Sequence, residues 1–250
     1  KLDGGYLRVQ IYALAFLRGD AAKLEQQVAW VAGKPGDEDS LLSLQGDTEA
    51  YFGRLSPARD FWPRSVDSAI RAETKEAAAS NQADAGWTEA ELGNVASARQ
   101  KAVAALALSS GRDVKVLAVL TLARIGDTPK AELLVEELEK SYPTNTLLKF
   151  YWLPVIRAAV ELSNGHSSEA IVDLEGAAPY ELTQRGNLHP AYERGQAFLL
   201  SHNGPAAVVE FQKLLEHRGI VQNAVTGALA HLQIGRGYAL AGDTAKAKQA

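Results

Sequence analysis

A glycine followed five residues later by an alanine recurs along the chain, flanked on both sides by apolar residues at helical spacing. It occurs at Gly53/Ala58, Gly93/Ala98, Gly126/Ala131, Gly165/Ala170 and Gly242/Ala247. A degenerate copy lies at His202/Ala207, and a looser one starts at Gly19, where Leu24 replaces the alanine. The starting positions 19, 53, 93, 126, 165, 202 and 242 are 34, 40, 33, 39, 37 and 40 residues apart. Such a period marks a stack of similar supersecondary units. A second marker, Gly46, Gly86, Gly195 or Gly235, stands seven residues before four of these turns.

Each element of the pattern has a physical reason. Glycine enters the left-handed conformation that closes a helix without steric penalty. Asp20, Asn94, Asp127 and Asp243 follow the turn and suit the N-cap of the next helix. The small residues at the other two sites allow two helices to approach closely. The 42 alanines and 32 leucines fill about 30 % of the 250 residues, and both types favour helix. Valine and isoleucine nowhere alternate with polar residues over a long run, so strands are not expected. An isolated pair of helices cannot bury its apolar faces, so neighbouring pairs must stack.

These residues resemble the tetratricopeptide repeat, a helix–turn–helix unit of 34 residues with small side chains at fixed places. The best local match is residues 227–250, which supply Gly235, Tyr238, Gly242, Asp243 and Ala247 in order. Pro143 stands where such a unit closes, and Trp62, Val135, Leu174 and Phe211 fall at the large buried site of the second helix. The resemblance implies an all-α fold: a right-handed α-α superhelix in a single array over 1–250. Its seven units are placed at about 5–33, 39–72, 75–108, 113–141, 145–176, 189–217 and 222–250. Pro154 is expected to kink or restart its helix, and 178–189 is the longest irregular connection. Lys1 is no initiator methionine, and Ala250 stops within an amphipathic stretch, so the chain reads as part of a longer protein.

Several chemistries lack their residues. There is no cysteine for a disulfide or thiolate site. The net charge of −4 does not suit a nucleic-acid footprint. The five histidines do not pair at helical spacing, and neither a GxSxG elbow nor a phosphate-binding glycine loop occurs. No catalytic residue, metal or cofactor is therefore expected. No apolar run is long enough to span a bilayer. Freedom from cysteine suits the cytoplasm and the periplasm equally.

In the family resembled, the first helix of each pair lines a concave groove. That register implies a protein or peptide partner, or a neighbouring domain, against Gln10, Asp47, Tyr51, Asp84, Trp87, Arg124, Trp152, Tyr192, Gln196 and Arg236. Phe16, Glu91 and Leu232 share the register. Aromatics beside isolated charges suit peptide recognition. Arg124 and Arg236 stand apart among Asp47, Asp84 and Glu91, which disfavours capture of a C-terminal carboxylate and suits a partner of basic or apolar character. The runs YALAFLRGD, DTEAYFGRLSPAR and PAYERGQAFL also resemble the C-terminal repeat region of large bacterial serine/threonine protein kinases. That narrower resemblance implies, as the alternative, a regulatory or sensory segment beside a kinase domain or in a transcriptional regulator. No kinase motif lies in this chain.

Overall fold

The computed structural model describes residues 4–183 and 187–250. All regular structure among them is helical. The helices are α1 (Gly5–Arg18), α2 (Ala21–Val31), α3 (Glu38–Tyr51), α4 (Leu55–Arg71), α5 (Lys75–Glu91), α6 (Val95–Leu108), α7 (Arg112–Arg124) and α8 (Thr128–Ser141). They continue with α9 (Leu153–Ser163), α10 (Ser167–Glu175), α11 (His189–Leu200), α12 (Gly204–Glu216), α13 (Arg218–Val221), α14 (Val225–Leu240) and α15 (Thr244–Gln249). The chain forms two compact units. One comprises the described residues up to Ala118 with Gln222–Val225, and the other comprises those of Val119–Val221 with Thr226–Ala250.

The turns follow from the glycine pattern. Gly19, Gly53, Gly93, Gly126, Gly165 and Gly242 all adopt φ between 68° and 85°. His202, in the degenerate copy, takes the same conformation with φ 60°. Asp20, Asn203 and Asp243 accept a backbone N–H of the following helix and so cap it. Asn94 holds the same position without a side-chain cap bond. The alanines at 58, 98, 131, 170 and 207 are completely buried.

In the first unit α1 packs on α2, α3 on α4 and α5 on α6, while α1 also meets α3 and α3 meets α5. The first helices of consecutive pairs therefore touch one another. Tyr12, Val31 and Leu41 form one part of the core, with Val9, Leu24 and Leu44 packed against it. Ala50, Ala58, Trp62 and Ala85 form a second part, and Ala79, Ala83, Ala105 and Val114 a third. In the second unit α9 packs on α10 and α11, and α11 on α12.

The glycines seven residues before the turns explain how the pairs close up. A Cβ on Gly46 would lie 2.5 Å from the Trp62 indole, and one on Gly195 2.6 Å from the Phe211 ring. Both rings are fully buried. The second helix thus presses an aromatic face onto bare backbone of the first. A Cβ on Gly86 would lie 3.2 Å from Lys101 Cβ, and one on Gly235 3.1 Å from the Ala247 carbonyl. Leu174 is buried as expected at the corresponding site. Val135 is only partly buried, and Leu138, one turn further on, fills the core of α8 instead.

Two stretches depart from the expected regularity. Before Pro154, residues Leu148–Trp152 form a π turn in which Leu153 N–H reaches back to the Leu148 carbonyl. The wider turn accommodates a proline that cannot donate in an α-helical ladder. The helix expected from 222 starts only at Val225. Gln222 has φ 52°, and the Asn223 side chain donates to the Leu44 carbonyl (3.0 Å) and meets Thr48 Oγ1 (3.1 Å). These side-chain bonds to α3 compete with helix continuation.

Gly195→Ala is expected to destabilise the chain by about 1–3 kcal/mol in denaturant unfolding, because the Phe211 ring has to move. His202→Gly is expected to add about 0.5–1 kcal/mol, because glycine removes the left-handed penalty at an exposed turn.

Candidate functional site

In the first unit, α1, α3 and α5 and the turn before α3 enclose a cavity of about 390 Å³. Its polar lining includes Asp37, Ser40, Ser43, Asp47, Asn81 and Asp84, and its apolar wall includes Val9 and Leu44. The helix register explains the grouping. Ser40, Ser43 and Asp47 follow one another at three and four residues on α3, and Asn81 and Asp84 at three on α5. Small neighbours such as Ala83 and Ala85, both completely buried, let the helices close around them.

The cavity places two carboxylates where water is scarce. Burial first, and then the neighbouring Asp84 charge, push the Asp47 carboxyl up to about 7, against a lowering hydrogen bond from the Trp62 indole. That bond runs from Nε1 to Oδ1 over 3.1 Å. Burial raises Asp84 to about 6. Asp37 is occupied differently, since its Oδ1 accepts the Gly5 N–H at 3.1 Å. Asn81 is only 9 % exposed, and its Nδ2 has no hydrogen-bond partner.

The second unit has two notable arrangements. Gln196, Leu199 and Leu200 of α11 and Arg236, Ala239 and Leu240 of α14 line an open cavity of about 630 Å³. Arg236 Nη1 donates to Gln233 Oε1 at 3.1 Å. Elsewhere a polar group is built into the core. Arg124 lies 3.4 Å from the fully buried Glu193 and 5.9 Å from the centre of the Tyr192 ring. His189 is buried nearby, with its ring 5.5 Å from Trp152, and its backbone N–H donates to the Tyr151 hydroxyl. Burial, helped by the Arg124 charge, lowers His189 to about 4, so this histidine is neutral at physiological pH. Burial drives the Tyr151 hydroxyl well above the usual phenol range.

The ten residues chosen from the register therefore divide. Asp47 and Asp84 share one cavity, and Gln196 and Arg236 share another. Arg124, Trp152 and Tyr192 belong to the polar and aromatic core of the second unit, where Tyr192 is completely buried and stacks edge-on with Phe211. Trp87 is 7 % exposed and offers almost no surface. Tyr51 packs edge-on against Phe16 and Phe52. Gln10 is half-buried on α1. Asn81, His189 and Glu193 lay outside that choice. Asn81 stands one turn before Asp84 on the same face, which is the signal that links them.

Among the described residues no cluster of three His, Cys, Asp or Glu side chains could hold a metal ion, and no helix is long and apolar enough to cross a membrane. What the described residues define is an all-helical protein with an acidic cavity on its first helices. Comparison with known proteins finds no matching family model and no matching curated protein.

Because Asp47 and Asp84 hold protons more tightly when folded than when unfolded, their contribution to stability is full near pH 4 and is lost as pH rises through 6 to 7. Asp84→Asn is therefore expected to raise stability at pH 8 by about 1–2 kcal/mol relative to its effect at pH 3.5, below the unfolded value of 3.8, where it changes stability little. Thermal melts at the two pH values provide the check.

Proposed function

We propose that this chain is a non-catalytic protein-interaction scaffold of the tetratricopeptide kind, a right-handed α-α array that receives a peptide or partner domain along its first helices. The observation that carries the proposal is the source of the cavity linings. The acidic cavity draws its walls from α1, α3, α5 and the turn before α3, and the open cavity of the second unit draws its walls from α11 and α14. All five are first helices of pairs in the repeat register, and a further cavity of about 520 Å³ lies between α1 and α3 with α2 as its remaining wall. The glycine turns, the buried alanines and the aromatic-on-glycine contacts support the same repeat assignment.

The recognition chemistry fits binding better than turnover. No histidine stands beside the two raised carboxylates to activate the Ser40 or Ser43 hydroxyl in the cavity lining, and acid–base work requires partners at hydrogen-bond reach of a reacting group. Apolar walls with a few placed polar groups suit an extended peptide instead.

The test is a peptide array probed with the whole chain, followed by backbone NMR titration with the best binders. Shifts are expected at Ser40, Ser43 and Asn81, on the first helices, and not at the exposed Arg64 and Asp67 of α4. A footprint confined to second helices, or an array without any binder, rejects the proposal.

A further inference from the structure

We infer that the cavity among α1, α3 and α5 is a subsite for the basic side chain of an extended peptide, held between Asp47 and Asp84, while Asn81 donates to a main-chain carbonyl of the same peptide. This deepens the proposed function and rests on it.

The charge balance of the cavity comes first. Among the described residues, Asp37, Asp47 and Asp84 line it, Tyr6 is the other titratable lining residue, and no lysine, arginine or histidine is part of the lining. Behind Asp47 stands Trp62, and on the ring of Trp62 lies the Lys101 ammonium of α6, 5.6 Å from the ring centre. The indole therefore stands between that ammonium and Asp47. Bringing two carboxylates into a desolvated space is costly unless an opposite charge joins them. The described lining supplies no such charge, in keeping with the raised proton affinity of both carboxylates.

Asn81 adds an independent requirement. Its amide Nδ2 is buried and unpaired, and a buried donor without an acceptor is rare and unfavourable. The missing occupant must therefore carry an acceptor as well as a cation. A free amino acid or a phosphorylated amine would bring an anion beside three aspartates. A peptide carbonyl is a neutral acceptor and avoids that repulsion. Among the described residues no three acidic or histidine side chains are grouped so that they could hold a metal ion, so the site suits an organic cation better than a divalent ion.

Fluorescence anisotropy on the whole chain tests this with dye-labelled, alanine-rich nonapeptides that carry one central lysine, arginine, norleucine or glutamate. At pH 8 the lysine or arginine peptide is expected to bind at least tenfold more tightly than the norleucine peptide, and the glutamate peptide more weakly still. Lysine against arginine identifies which basic group the site prefers. The advantage should fall several-fold at pH 5, where Asp47 and Asp84 take up protons. Asp84→Asn should remove it, whereas Asp67→Asn on the exposed face of α4 should preserve it. Asn81→Ala should weaken every peptide alike.

Equal binding of lysine and norleucine peptides overturns the inference, and that comparison uses the unaltered chain, so it stands whether or not a variant folds. Retention of the advantage in Asp84→Asn also overturns it. So does displacement by free lysine as efficient as by the peptide. A norleucine peptide that binds equally well and shifts first-helix amides leaves the scaffold proposal standing, whereas an array without binders of any sequence removes both.

Discussion

The close approach of Trp62 to Gly46 ties the packing of the first unit to its chemistry. The indole covers a backbone that carries no side chain, and this lets α4 sit tightly on α3. Its ring is fully buried, and its one polar atom needs a partner. Asp47, the next residue along α3, supplies that partner. The same contact that closes the helix pair therefore fixes the orientation of a cavity carboxylate. Phe211 on Gly195 repeats the steric half of this device in the second unit without the polar half, because phenylalanine has nothing to donate.

The two units bury polar groups in different ways. In the second, Glu193 is placed beside Arg124, so its charge is compensated within the chain. In the first, Glu89 is treated likewise by the two-pronged pairing with Arg59 at 2.8 Å. Asp47 and Asp84 differ from these, as does the buried Asp39, in having no cation among the described residues beside them. They face a cavity and each other instead of a cation, and their proton affinity rises accordingly. What sets Asp47 and Asp84 apart from Asp39 is that both line the cavity.

The turns were legible in the sequence because a left-handed residue has few substitutes. Six repeat glycines adopt the expected conformation, and the copy at His202 shows that position can be held without glycine. Pro154 announced an interruption but not its form, since a π turn and a kink both relieve a missing donor. The break at Gln222 carries no glycine or proline and was invisible, because its cause is a bond from Asn223 to a segment 179 residues away in sequence. The cavity residues were half legible. Three residues along a helix fall about 60° short of one turn, so a row at that spacing drifts round α5, and Asp84 reaches the cavity while Trp87 enters the core. The register alone could not separate them, because the neighbouring helix decides which side is closed.

The bonds of Asn223 to Leu44 and Thr48 have a consequence for biosynthesis. The compact unit that contains α1 to α6 is completed by Gln222–Val225, with Asn223 bonded to a carbonyl 179 residues earlier. During translation, α1 to α6 leave the ribosome long before that segment exists. Vectorial folding from α1 onward is thereby held short of completion until residues 222–225 have emerged, because contacts so distant in sequence form only after the intervening chain has been made.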